Sequence, residues 1–484
     1  MRTLRYVFVL AALAAVLTLV SGGQAASGFK TAKPPYLVPA APGVVVDAIL
    51  STGDVVGDYQ MSGIPDGLGA YGNSRANENG DENNDEDEDN DEGNGRGDTF
   101  TVVMNHELGK SFPGQPPGVD ARISRLVIDR KSHSVLDAEY LFTGLEGYER
   151  FCSSTLRILF GRPFYFTGEE AVGAGHDGSS IVLDPETGMW RDTKHFGRFQ
   201  HENVVPLRLS KWVFLSSEDD FRPQPSYLYA YIANSFNGAL RARDGSLYVW
   251  KADNPAKVGN ATVVKGESVP GHFVPITQAE NATSDTLKAA STARGAFKFD
   301  RLEDIAARPD VRGRVYIADT GKPPVTERGR VYQLDIDPRD PTSATLKMIL
   351  NGDPPDNDDL IQPDNMDASS KVLVIQEDRE SAFRGDPNRV LVYDFGSKTL
   401  KTVARVHSPD LVVGPFNQES SGVIDASRLL GPNWWLLDVQ AHTLKERQPG
   451  PTLTPNSSVG EDGQLDAIYI PNSTGGGGDD GDND

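Results

Sequence analysis

Six short apolar stretches of this chain each run into carboxylates, amides or histidine. They are TVVMNHE (Thr101–Glu107), YFTGEE (Tyr165–Glu170), WVFLSSEDD (Trp212–Asp220), RVYIADTG (Arg314–Gly321), KVLVIQED (Lys371–Asp378) and WWLLDVQAH (Trp434–His442). One acidic residue after one strand is ordinarily a solvated loop group. The same pattern recurring after six apolar strands is a set of hard oxygen donors. Such donors, gathered at one place, suit calcium, manganese or ferric iron. Without cations they would repel one another strongly.

The spacing of the markers says what must position them. Glu107 to Glu169 is 62 residues, Glu170 to Asp219 is 49, Asp219 to Asp319 is 100, Asp319 to Asp378 is 59 and Asp378 to Asp438 is 60. Six markers at such intervals predict an all-β fold, a six-bladed β-propeller with insertions and a central metal-binding funnel. The long interval places one insertion around residues 250–297, where DTLKAASTAR reads as a short helix. The period is irregular, which leaves other all-β architectures open. In a propeller, equivalent strand ends line one end of the channel. Glu107, Glu169, Glu170, Glu218, Asp219, Asp319, Glu377, Asp378 and Asp438 would then converge.

Composition narrows the function. A net charge of −22 argues against nucleic acid as a partner, because phosphate backbones require a basic face. Residues 1–26 read as a signal peptide, with Arg2 and Arg5 before the apolar run Val7–Val20. The chain is therefore expected outside the cytoplasm, periplasmic or extracellular. An uncleaved N-terminal anchor is the alternative. No later segment reads as a membrane span, so no stable insertion is expected after cleavage. Residues 27–473 read as a single propeller domain, expected as a monomer. Residues 77–98 read as a disordered acidic insertion and residues 474–484 as a disordered acidic tail. Cys152 is the only cysteine, so no internal disulfide can form. Asn-x-Ser/Thr sites stand at Asn260, Asn281, Asn456 and Asn472.

An ordered set of motifs resembles the PhoX-type alkaline phosphatases and their wider, less characterised sequence family. The motifs are NHE at Asn105–Glu107, FCSS at Phe151–Ser154, TGEE at Thr167–Glu170, GRFQHEN at Gly197–Asn203 and FDRLED at Phe299–Asp304. PDNMD at Pro363–Asp367, QED at Gln376–Asp378, ESSGVIDAS at Glu419–Ser427 and DVQAH at Asp438–His442 complete it. The resemblance implies a six-bladed propeller holding iron and calcium in its funnel and hydrolysing phosphate monoesters outside the cytoplasm. By the same resemblance Cys152 is an iron ligand. Glu169, Glu170, Glu202 and Glu303 are metal-binding carboxylates, and Arg301 contacts phosphate. With Glu107, Glu377 and Asp378 from the strand-end pattern, these make the expected site. The sequence departs from the phosphatase pattern after Cys152, which reads SSTLRILFGRPF where the family is glycine-rich. It departs again at Arg301–Glu303, where Arg-Leu-Glu stands for Arg-Pro-Glu.

The chemistry implied is metal-assisted phosphoester hydrolysis on a small-molecule substrate. Clustered ions would polarise the phosphoryl oxygens and supply the nucleophile. Arg301 would hold two phosphate oxygens in a fork. His106, His201 and His442 abut the motifs and could ligate metal or orient a neighbouring carboxylate. No Gly-rich phosphate loop, HExxH sequence or Gly-x-Ser-x-Gly elbow supports another mechanism. Two alternatives stay open. One is a non-catalytic, calcium-stabilised secreted propeller that binds a surface or protein. The other is a calcium-dependent phytase-like or lactonase-like esterase.

Overall fold

The computed structural model describes residues 28–74, 96–109, 120–173, 175–277, 282–324, 326–379, 383, 387–407, 418–441 and 462–474. The proposed signal peptide and nearly all of the acidic insertion and tail lie outside them, as do His442, Asn281 and Asn456.

The described chain is all-β and propeller-like. Val, Ile, Tyr and Phe fill short antiparallel meanders: second strands such as Trp212–Glu218 and Val372–Glu377 are buried on both faces, while outer ones such as Ser343–Asn351 alternate. One four-stranded sheet holds Pro65–Ser74, Arg96–His106, Arg122–Asp129 and Val135–Phe142. A second holds Phe151–Leu159, Arg162–Glu169, Ser180–Leu183 and Trp190–Asp192. A five-stranded sheet runs from Pro363–Ala368 to Leu400–Val406, with Leu37–Pro39 added on its outside. In the last sheet, Gln418–Asp425, Trp434–Ala441 and Asp462–Tyr469 are joined by the N-terminal strand Val45–Ser51. An early and a late strand of the described chain are thus knit by backbone hydrogen bonds.

The remaining large sheet has nine strands. It is two four-stranded meanders, beginning at His201–Arg208 and Leu302–Ala307, joined edge to edge through Ser268–Pro275. That joining strand belongs to the expected insertion, which also carries the expected helix, Ser284–Ala293, capped by Thr283. Asn260, in the same segment, is buried and donates to Asp319 Oδ2 at 2.5 Å, so its Asn-x-Thr site is structural.

Six strands form an inner ring. Pro65–Ser74 packs on Phe151–Leu159, which packs on His201–Arg208, then Leu302–Ala307, Pro363–Ala368 and Gln418–Asp425, and the last packs back on the first. Between the sheets lie aromatic wedges. Phe196 and Phe214 sit 4.6 Å apart, with Phe166, Trp212 and Phe236 around them. Each such buried side chain contributes about 2–3 kcal/mol.

Two sequence boundaries shift. Arg96–Asp98 open the strand Arg96–His106 rather than ending a disordered insertion. Thr474 is buried against Asn433 rather than lying in the tail. Among the described residues no helix is long and apolar enough to cross a membrane.

Candidate metal centre

The inner strands share one local design. Asp66, Cys152, Glu202, Glu303, Asp364 and Glu419 each occupy the second position of an inner strand. In five of the six, the pairing register breaks around that residue. Pro65 pairs with His106 but Leu68 with Met104, and the same break follows Phe151, His201, Leu302 and Pro363. An extra residue in one strand kinks it and re-aims a side chain. Here it turns the second residue out of the sheet toward the axis.

A repeated backbone bond fixes the facing position. In five of the six repeats the residue just after the second strand donates its N–H to the carbonyl just before the inner strand. The pairs are Glu107 to Ile64, Glu170 to Arg150, Asp219 to Gln200, Thr320 to Arg301 and Asp378 to Gln362, at 2.9–3.1 Å. Three of the acceptors, Ile64, Arg150 and Gln362, sit at φ of 50°, 52° and 48°. Non-glycine residues rarely hold this left-handed conformation, least of all a β-branched one, and it costs about 1–3 kcal/mol. Gly67, behind Asp66, cannot be larger, since an added Cβ would stand 2.6 Å from the Cys152 carbonyl oxygen.

The ligands interlock. Asp66, Glu107 and Cys152 form one group, Cys152, Glu170 and Glu202 a second, Glu202, Glu303 and Asp364 a third, and Asp364, Asp378 and Glu419 a fourth. Within each group the ligand atoms lie within 4.8 Å of one another. Shared members make this one continuous run of nine donors. Both carboxylate oxygens of fully buried Glu202 lack a hydrogen-bond partner, as does Asp364 Oδ1. A buried ionised carboxylate without partners is strongly unfavourable unless a cation or a proton neutralises it, and both oxygens of Asp438 and of Asp466, outside the four groups, are likewise unpartnered. Burial, then Glu107, pushes Asp66 up to about 7. Burial also carries Glu170, Glu202, Glu303, Asp364 and Glu419 well above the carboxylate range. The Cys152 thiol is pushed up by burial and by the surrounding carboxylates. Eight carboxylates and one thiol, oxygen-rich with unsatisfied lone pairs, fit bound metal ions.

Of the expected ligands, Cys152, Glu107, Glu170, Glu202, Glu303 and Asp378 come together. Glu169 and Glu377 do not. Successive strand residues point to opposite faces, so the last residue of a second strand faces into its sheet while the next faces the axis. Glu169 Oε1 lies 2.6 Å from His176 Nδ1 and accepts from the Glu149 N–H. Glu377 is held by Arg389, at 2.6 and 2.8 Å, and by Arg379. Glu218 and Asp319 turn away likewise, Glu218 to Lys288 and Asp319 to Asn260 and backbone N–H groups. Asp438 is buried within the last sheet and joins none of the four groups. His106 contacts Gly63 O and Ser124 Oγ, and His201 contacts Gly197 O. Burial lowers their pKa values to about 3 and about 4, and neither joins a ligand group.

Asp66, Asp364 and Glu419 join the candidate donors beyond those expected from the sequence. The signal was a recurring tripeptide with the ligand in the middle, Pro-Asp-Gly, Phe-Cys-Ser, His-Glu-Asn, Leu-Glu-Asp, Pro-Asp-Asn and Gln-Glu-Ser. The third residues tie neighbouring sheets together, as where Asn203 bonds Asp304 and Asp304 accepts the Met366 N–H at 2.9 Å.

Arg301 stands at the edge of the run. Its Nε and Nη2 fork onto Asp219 at 2.9 and 2.7 Å, and Nη2 lies 3.5 Å from Glu303.

A family model described as alkaline phosphatase PhoX matches residues 182–422, about half of the chain. The solved structure of Pseudomonas fluorescens PhoX in complex with vanadate, a transition state analogue, is similar with a TM-score of 0.58 at 14% identity. The match covers 92% of this chain and 98% of that one, and it shows the fold. A Penicillium chrysogenum alpha-L-arabinanase complexed with arabinobiose aligns with a TM-score of 0.40 at 10% identity, over 79% of this chain and 92% of that one. No curated protein matches the chain in sequence.

Proposed function

We propose, from the premise that this chain belongs to the PhoX alkaline phosphatase family, that it is an exported metal-dependent phosphatase of phosphate monoesters. Counting the nine-stranded sheet as two blades gives a six-bladed propeller over residues 27–473, with the nine donors in its funnel. The observation that carries the reading is Glu202. It is fully buried, has no hydrogen-bond partner on either carboxylate oxygen, and belongs to two of the four ligand groups.

The carboxylate groups suit calcium. Cys152 adds one softer donor, which favours iron among its neighbours. When bound, such ions supply Lewis acidity and offset the charge of the phosphoryl oxygens. The protein's own groups do the rest. Inner-strand bulges and the repeated backbone bond hold the donors in place before any ion arrives, so little reorganisation is needed. Asp219 fixes the plane of the Arg301 guanidinium through two hydrogen bonds, so the arginine meets phosphate already oriented. Gln440 donates to Asp66 and Glu107, at 3.0 and 3.1 Å, and keeps those two carboxylates apart. The acidic surface disfavours anions at long range, so the funnel must be locally positive when loaded.

The test is turnover of an aryl phosphate by purified protein, with metal content measured on the same sample. The reading expects iron with calcium, loss of turnover on chelation, and loss in Cys152→Ala and Arg301→Ala. Calcium alone with no phosphatase turnover would sink it and favour a calcium-stabilised binding propeller.

A further inference from the structure

Arg150 occupies the same place in the repeat as Arg301. Each is the residue immediately before an inner strand, and the carbonyl of each accepts the same closing N–H, from Glu170 at 2.9 Å and from Thr320 at 3.0 Å. Their side chains meet at one ring. The Arg150 guanidinium carbon lies 4.7 Å from the centre of Phe221 and that of Arg301 lies 5.0 Å from it.

Phe221 is 44% exposed, unusual for a large apolar side chain beside a buried charged site. Its loop is nonetheless held firmly. Lys322 Nζ donates to the carbonyls of Asp220, Arg222 and Gln224 at 2.9, 2.7 and 2.8 Å. Asp220 is further gripped by Arg222 and by Lys288, the latter at 2.6 Å. A loop pinned at three carbonyls by one ammonium presents Phe221 as a fixed feature. The ring keeps both guanidinium groups beside it through cation–π contact.

Arg150 also faces the donors. Its Nη1 lies 3.9 Å from Glu170 Oε2, and it bonds the Glu170 carbonyl through Nη2. Its left-handed backbone, φ 52°, is shared with Ile64 and Gln362 at the same place in the repeat.

We infer that Arg150 is a second phosphate-binding residue, forming with Arg301 a two-armed clamp for the phosphoryl group, with Phe221 as the spacer that sets the arms. The inference rests on the phosphatase reading above and adds a residue to it. A guanidinium stays charged at any physiological pH, so both arms carry a fixed positive charge. Two planar forks in a fixed arrangement match the oxygens of a phosphate monoester better than one.

The experiment measures binding of inorganic phosphate to the metal-loaded full chain by calorimetry. KM and kcat for an aryl phosphate and metal content are read on the same samples. Arg150→Lys keeps the charge but removes the fork, and is expected to weaken phosphate binding about tenfold and to raise KM, with metal content unchanged. Phe221→Leu is expected to weaken phosphate binding severalfold without loss of metal. Wild-type phosphate affinity in both Arg150→Lys and Arg150→Gln, while Arg301→Lys is impaired, would overturn the inference and leave the phosphatase reading standing. Loss of metal in Arg150→Lys would overturn it too, showing that Arg150 only supports Glu170. A wild-type protein that neither binds phosphate nor turns over an aryl phosphate would remove the phosphatase reading itself.

Discussion

The Cys152 thiol donates to Asp66 Oδ2 across 3.2 Å, from the second position of one inner strand to the second position of the next. Both groups are held toward their protonated forms by burial and by neighbouring carboxylates. Metal coordination requires the thiolate and the carboxylate. Adding metal to chelator-treated protein should therefore release protons, measurable in weakly buffered solution. Cys152→Ala should release about one proton fewer per chain at neutral pH. Equal release by wild type and variant would remove Cys152 from the ligand set.

Glu169 and Glu170 are adjacent yet have opposite surroundings, a paired histidine for one and the ligand run for the other. Glu170→Gln should lose metal. Glu169→Gln should keep it and lose about 1–3 kcal/mol of stability from the disturbed contact with His176. Metal content and thermal melting read both. The same contrast is expected between Asp378→Asn and Glu377→Gln, the latter leaving Arg389 and Arg379 buried without their anion.

Stability should depend on pH in a direction set by raised carboxylate pKa values. Asp66 is raised from 3.8 to about 7, and Glu218 from 4.5 to about 7 by burial, partly offset by Lys288. A raised acid binds more protons folded than unfolded, so stability is highest below its unfolded value. It is lost as pH rises toward the folded one, by up to about 4 kcal/mol for Asp66 and about 3 kcal/mol for Glu218. Metal-free protein should therefore lose melting temperature between about pH 4.5 and 7.5. Metal should abolish the Asp66 part, and Glu218→Gln should remove its own share of the remainder, to which buried Asp367, raised to about 7, also contributes. A metal-free protein that gains stability over that interval would contradict this assignment.

Lys288 sits 3.0 Å from Glu218 and 2.6 Å from Asp220, almost wholly buried. Lys288→Met would leave buried Glu218 without its counter-ion and Asp220 with Arg222 alone. A loss of about 3–5 kcal/mol is expected in denaturant unfolding. A loss under 1 kcal/mol would mean that the pair is solvated.

The strand pattern was legible because apolar runs ending in polar or acidic residues recur at about 50 to 60 residues, with one longer gap. All six runs became the second strand of a meander. The pairing of strands with inner positions was harder to read. Pro65-Asp66-Gly67 and Pro363-Asp364-Asn365 have the composition of turns, yet each opens an inner strand. Their ligand role depends on a bulge, which sequence periodicity does not mark. Glu169 and Glu377 were misplaced for a related reason. A doublet of acids shows that one faces the axis, and only the strand's register shows which. Arg301 drew attention through the FDRLED motif. Arg150 had no such motif, and its equivalence to Arg301 emerges only from the repeated backbone bond.

Elemental analysis of purified wild type and Glu202→Ala shows whether the nine donors hold metal. The wild type should carry several tightly bound ions per chain, iron and calcium among them. The variant should lose most of them while keeping its β-sheet circular dichroism. A wild-type protein that is metal-free after purification, and binds none when iron and calcium are added, would contradict the account.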